Sequence, residues 1–319
     1  MRSFIYQMTA AVALLGFANG CAKREIVTVP EQQDVVKVHG AGATFPAPLY
    51  ERWIETYEVA NDDVKIKYAS VGSGAGTEEF LGGSLDFGAS DAALTDEQID
   101  SVSRGAIVVP VTAGCIAIVY NVAEINQPLR LPRDVCADIF LGKITKWSDS
   151  RIEAANPGLE LPDLAIEIVA RQDSSGTTFA FTNHLAAISS DWKNGPGVGK
   201  AINWPTGAIL SGGNEGVAAM VERTPGAIGY VEFGLASRLG LSMASLENRS
   251  GKFITPSGTS GLATLIADKM PDNLRGFFPD PEGENSYPIV TYTWLLLYKD
   301  YSEGPEVGKA LKAFVTWCL

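Results

Sequence analysis

Histidine is almost missing from this chain. Only His39 and His184 occur, which excludes a histidine-rich metal centre and a long histidine proton relay. Cysteine is scarce too. Cys21, Cys115, Cys136 and Cys318 form no C-x-x-C pair, so a zinc ribbon and a thioredoxin-type redox motif are excluded. No G-x-S-x-G, H-E-x-x-H or P-loop is found, which removes the usual sequence support for a hydrolase, a metalloprotease or a nucleotide-triphosphate enzyme. Positive charge is in the minority: 25 Lys and Arg stand against 37 Asp and Glu, a net charge of −12. Such a surface repels nucleic acid and anionic lipid. No internal repeat, no low-complexity tract and no run of eighteen apolar residues occurs, so a membrane-spanning helix is not expected.

What is present is a core-forming chain rich in turns. Of 319 residues 46% are apolar and 19% charged, far from the composition of a disordered segment. The 33 glycines and 17 prolines imply many tight turns and close approaches of the backbone. At the start, Arg2 precedes a mostly apolar stretch from Ile5 to Phe17, broken by Gln7 and Thr9. That length suits an export signal over residues 1–20 rather than a membrane span. The signal ends in Ala18-Asn19-Gly20-Cys21. A small residue before a lone cysteine resembles the lipobox of bacterial lipoproteins, which makes Cys21 a candidate lipidation site. Ala18-x-Gly20 also suits ordinary signal-peptidase cleavage. Residues 21–39, polar and containing Pro30, read as a tether.

The remainder repeats one local grammar, a strand followed by a glycine- and serine-rich turn and a helix. Val64, Ile66 and Tyr68 alternate with Lys65 and Lys67, the period of a half-buried strand. The turn Gly72–Gly76 follows, with a helix start predicted at Thr77–Leu81. Leu85–Ala89 is a short strand candidate leading to Ser90-Asp91, and Leu164–Ala170 is another, leading to the segment Arg171–Thr177 and a helical stretch. After Thr44-Phe45-Pro46, residues Tyr50, Trp53, Ile54 and Tyr57 share one helical face. Strands alternating with helices predict an α/β fold. Helix N-termini present unsatisfied N–H groups and partial positive charge, Ser and Thr add hydroxyl donors, and Arg171 adds a two-pronged cation. The set suits a small oxyanion. Each such segment taken alone reads more readily as an ordinary cap or turn, and only the four together bring the anion reading level with it.

Several of these segments, in this order, resemble the phosphate-binding proteins of the bacterial ABC-type phosphate uptake system. The likeness is carried by Gly40–Pro48, Asp86–Asp91, Ile139–Ile144 leading to Trp147, Ser175-Gly176-Thr177, and Pro225–Glu232. It implies a periplasmic-binding-protein fold, two α/β lobes joined by hinge strands with a ligand cleft between them. Lobe 1 would hold residues 40–112 and 292–319, and lobe 2 residues 113–291. Members of the family usually continue beyond the position of Leu319, so lobe 1 is expected to be truncated here. Carried over residue by residue, the resemblance implies a phosphate site of Thr44, Phe45, Ser73, Asp91, Arg171, Ser175, Gly176 and Thr177. Asp173 would support Arg171, and Ser174 stands where relatives often have Gly. It also implies a monomer in the periplasm, lipid-anchored if Cys21 is modified. Its partners are phosphate and an ABC permease, with no cofactor and no metal.

A buried anion needs its oxygens hydrogen-bonded, or burial costs several kcal/mol, roughly the range for unpaired polar groups. A carboxylate among the donors, Asp91, is satisfied only by an oxyanion that still carries a proton. Phosphate does so at neutral pH and sulfate does not, so Asp91 would select between them. Another tetrahedral anion such as arsenate is the alternative ligand, and an exported phosphatase-like enzyme a more remote one. His39 is expected to be exposed and His184 structural. Export would permit a disulfide, and Cys115 with Cys136 is the candidate pair.

Overall fold

The computed structural model describes residues 35–319 apart from positions 124 and 126. The export signal, Cys21 and most of the tether therefore lie outside the described residues. In chain order the first part contains β1 (Val36–Gly42), α1 (Ala47–Ala60), β2 (Val64–Ser70), α2 (Ser73–Leu81), β3 (Phe87–Ser90), α3 (Asp96–Ser101) and the long β4 (Ala106–Tyr120). The middle contains β5 (Arg130–Leu131), α4 (Arg133–Phe140), α5 (Ser150–Ala155), β6 (Glu167–Arg171), α6 (Gly176–Ile188), α7 (Ser190–Asn194), β7 (Ile209–Ser211), α8 (Gly213–Arg223), β8 (Ala227–Glu232) and α9 (Phe233–Leu239). Short strands β9 (Ser242–Met243), β10 (Ser245–Glu247) and β11 (Phe253–Ile254), then α10 (Gly258–Ala267), lead to β12 (Val290–Tyr298) and α11 (Pro305–Cys318).

The main sheet runs β2-β1-β3-β12-β4-β8-β6-β7. β1 is parallel to both β2 and β3, while β12 is antiparallel to β3 and β4. β4 changes partner along its length. Residues Ala106–Cys115 pair with β12 and Ile116–Tyr120 with β8. β6 then runs parallel to β8 and β7. Apolar side chains form separate clusters on the two stretches of sheet. Val38, Phe87, Leu295 and Phe314 pack together, as do Phe80, Leu94, Trp294 and Tyr298. On the other stretch Ile118, Phe140, Trp147, Phe181 and Tyr230 form a large cluster, and Val119, Val169, Val217 and Val231 another. Each fully buried Val, Leu or Phe contributes about 1.5–3 kcal/mol, so both stretches have cores of their own. This is the periplasmic-binding-protein fold that the motifs imply.

Two local expectations are corrected. The helix predicted from Thr77 begins one turn earlier, at Ser73, so the glycine-rich segment is the first turn of α2 rather than a loop. Packing explains it: a Cβ at Gly76 would lie 2.3 Å from the Gly42 Cα, so the helix start is pressed against the end of β1. The Cys115–Cys136 disulfide is not formed. Both are buried free thiols, and the Cys115 Sγ donates to the Ser257 carbonyl at 3.5 Å. Burial pushes both thiols up to about 12. His184 is buried and donates from Nδ1 to the Pro279 carbonyl at 2.6 Å, while His39 is exposed. No helix among the described residues is long and apolar enough to cross a membrane.

Candidate functional site

The strand-to-helix turns converge. β1 ends at Gly42 and delivers Thr44 and Phe45 to the N-terminal end of α1, both buried. α2 begins with Ser73, and β3 ends just before Asp91. The Asp91 amide donates to the Ser73 Oγ at 3.1 Å, and that hydroxyl lies 3.4 Å from the Asp91 Oδ2. From the other stretch of sheet, β6 ends in Arg171, whose guanidinium is almost wholly enclosed (side chain 1% exposed). Asp173 grips the guanidinium through both carboxylate oxygens, with Nε to Oδ1 at 2.8 Å, and also accepts from the Gly213 amide at 3.0 Å. Burial works to raise the Asp173 carboxyl, but hydrogen bonds and charge from Arg171 outweigh it and hold the carboxyl below its usual range. The outer Arg171 Nη1 points to the Thr177 Oγ1 at 3.4 Å.

Ser175 is the N-cap of α6. Its Oγ accepts from the Thr178 amide at 3.1 Å, so its own proton stays available for a ligand. Gly176 allows the two sides to meet. A Cβ there would sit 2.4 Å from the Ser73 Oγ and 2.8 Å from the Asp91 Oδ2, which no side chain tolerates. One turn away, the Gly74 amide donates to the Ser174 carbonyl at 2.8 Å. Thr44, Ser73, Asp91, Arg171, Ser175, Gly176 and Thr177 are all buried, with Asp173 half-buried against Arg171 and Phe45 buried beside Thr44 in the chain.

Two participants escaped the sequence reading. Asn214, at the start of α8, is buried; its Nδ2 donates to the Thr44 Oγ1 at 2.8 Å and the Thr177 Oγ1 at 3.3 Å. Its Oδ1 accepts from the Glu232 amide at 2.9 Å. The signal was there in Ser211-Gly212-Gly213-Asn214, one more strand-to-helix turn of the same grammar. The other is Lys200. Its carbonyl accepts from the Ser175 amide at 2.8 Å, and its Nζ lies 3.4 Å from the Thr77 Oγ1. Burial lowers the Lys200 ammonium, against the attraction of Asp91 and Glu78.

The electrostatics centre on Asp91. Burial pushes its carboxyl up to about 7, opposed by the nearby Thr293 and Ser73 hydroxyls and by the charges of Arg171 and Lys200. Two cations and two carboxylates leave the site close to neutral, so dipoles must hold most of the charge of any anion placed there. Among the described residues no group of three or more His, Cys, Asp or Glu side chains could hold a metal ion.

Comparison with known proteins identifies the family. A family profile described as the PBP superfamily domain matches residues 27–319. The Phosphate-binding protein PstS of Pasteurella multocida is 40% identical over 286 residues, covering 88% of this chain and 81% of that protein. The chain belongs to the PstS family of phosphate-binding proteins. Another member, from Methanocaldococcus jannaschii, is 39% identical over 312 residues, covering 91% of this chain and 80% of its own. Among solved structures, the phosphate-binding protein of Stenotrophomonas maltophilia shares the fold with a TM-score of 0.71 at 23% identity, over 89% of this chain and 84% of that one. Family membership and shared fold are thus independent of any one motif.

Proposed function

We propose that this chain captures inorganic phosphate between two lobes and presents it to an ABC-type phosphate permease. The observation that carries the reading is a single buried carboxylate, Asp91, set among the donors of Ser73, Arg171 and the α6 N-terminus. The Thr44, Ser73, Ser175 and Thr177 hydroxyls, the amides of Phe45, Gly176 and Thr177, and the Arg171 fork supply donors to phosphate oxygens. Asp91 accepts the one proton that phosphate keeps. The helix starts at Ser73 and Gly176 add positive ends of helix dipoles. The proposed role is binding and release rather than turnover.

Lobe 1 is placed at residues 40–112 with 292–319, and lobe 2 at 113–291. The boundary near 112 lies close to the point where β4 passes from β12 to β8. Phosphate binds both faces and so favours closure by its differential affinity. The protein is placed in the periplasm or lipid-anchored through Cys21 on the outer face of a membrane, as a monomer. Calorimetric titration with phosphate, arsenate and sulfate at neutral pH tests the ligand. Tight phosphate binding with sulfate excluded supports the reading, and equal binding of sulfate overturns it. Arsenate, which also carries a proton, measures how far geometry refines the choice.

A further inference from the structure

Among the described residues, three fully buried side-chain oxygens have no hydrogen-bond partner: Tyr50 Oη, Thr293 Oγ1 and Asp91 Oδ1. Orphaned buried polar atoms are uncommon, and three in one place call for a common explanation. They are neighbours. β12 pairs with β3 through Trp294 opposite Ser90, which brings the adjacent Thr293 alongside Asp91. The neighbouring Thr291 Oγ1 lies 3.4 Å from the Asp91 carbonyl. Thr293 is close enough to act on both the Asp91 carboxyl and the Tyr50 phenol. β12 also has an irregularity here: Thr293 faces Thr112 while Trp294 faces Pro110, so Val111 is left over as a bulge. A bulge re-aims side chains next to functional sites, and Pro110 has no amide to lose.

We propose that Tyr50 and Thr293 form a hydroxyl chain that holds Asp91 as a charged acceptor and turns its other oxygen to the ligand. This inference rests on Asp91 being the acceptor for phosphate. The proton count assigns the direction. Burial keeps the Tyr50 phenol protonated, so it has one proton to give, and Thr293 can take it. The Thr293 hydroxyl then gives its own proton to Asp91 Oδ1. Asp91 Oδ2 remains beside Ser73 and Gly176, where the ligand proton would arrive. Without the chain, the carboxyl would face Ser73, Arg171 from β6 and Lys200 on one side, and the uncharged phenols of Tyr50 and Tyr68 on the other. Burial would then favour the neutral acid. A neutral Asp91 can donate, which would admit sulfate. Thr293 and Tyr50 are therefore positioning residues that act on selectivity through Asp91.

The test compares the full chain with Thr293→Val, Thr293→Ser, Tyr50→Phe and Asp91→Asn by phosphate and sulfate titration across pH. Loss of one hydrogen bond to a charged group should move the acid limb of phosphate binding upward in Thr293→Val by about one pH unit. At pH 7 its phosphate-to-sulfate ratio should fall by roughly tenfold, since each pH unit is a factor of ten. Thr293→Ser should restore both, and Tyr50→Phe should shift both in the same direction by less. If Asp91→Asn narrows the ratio but folded Thr293→Val superimposes on the wild type, the hydroxyl chain is overturned and the acceptor stands. If Asp91→Asn leaves the ratio unchanged, the acceptor reading itself falls. Should Thr293→Val fail to fold, the Tyr50→Phe profile decides: an upward shift supports the chain and superposition overturns it.

Discussion

Replacing Asp91, the proposed acceptor for phosphate, should stabilise the ligand-free protein at neutral pH. Burial pushes its carboxyl from an ordinary value of 3.8 up to about 7. The sign follows from linkage. Below pH 4 the group is neutral in folded and unfolded chains alike, so it costs nothing. As pH rises towards 7 the unfolded chain ionises freely while the folded one resists, and the folded state loses stability over that window. The gap between 3.8 and about 7 corresponds to ~4 kcal/mol by pH 7, counting 1.36 kcal/mol per pH unit. Asp91→Asn removes the charge with little change of shape, so without phosphate it should melt higher than the wild type at pH 7. At about 1–2 °C per kcal/mol for a chain of over 300 residues, the gain is about 6 °C. The gain should vanish near pH 4. Saturating phosphate should raise the wild type more than the variant, because only the wild type offers the acceptor. Differential scanning calorimetry across pH, with and without phosphate, measures all of this. If Asp91→Asn is no more stable at pH 7, or its advantage persists at pH 4, Asp91 is not a buried charged acceptor and the selectivity argument goes with it.

Other consequences are more local. Arg171→Ala should weaken phosphate and sulfate together, by about 2–5 kcal/mol each, because it removes the charged fork from either anion and leaves the half-buried Asp173 without its partner; paired titrations would show any selective loss. Gly176→Ala places a methyl 2.4 Å from the Ser73 Oγ, so phosphate binding should collapse while the melting temperature stays within a few degrees; small-angle scattering should then show no compaction on adding phosphate. Asn214→Ala removes the donor shared by Thr44 and Thr177 and should weaken phosphate binding by about 1–3 kcal/mol in calorimetry, with the phosphate-to-sulfate ratio unchanged. Cys115 and Cys136 should resist alkylation in the folded protein and both react after denaturation without reductant, which mass spectrometry can count.

The candidate site is legible where its chemistry sits in short motifs. Thr44, Ser73, Asp91 and the Arg171–Thr177 segment all lie at strand-to-helix turns, where a residue's place in the motif announces its direction. Asn214 was less legible because its meaning depends on Thr44, 170 positions away. Thr293 was hidden differently. It lies in Thr291-Tyr292-Thr293-Trp294-Leu295, where alternation suggests only a strand and gives no sign of the register shift beside it. The start of α2 was misplaced because glycines read as a loop, whereas contact with Gly42 holds them helical. The absent disulfide has the same lesson. Compartment permits a bond, but only packing brings two sulfurs together, and here each thiol is buried in the core unpaired.

The position of β12 has a consequence for the order in which this molecule can be made. β12, residues 290–298, is inserted between β3 and β4, which lie far earlier in the chain. A growing polypeptide therefore carries two open strand edges, on β3 and on β4, until residues 290–298 have emerged from the ribosome. Native pairing across that gap is long-range and slow to form. The same open edges are where incomplete chains would aggregate, so nascent fragments ending before residue 290 should depend on holding factors that the finished protein does not need.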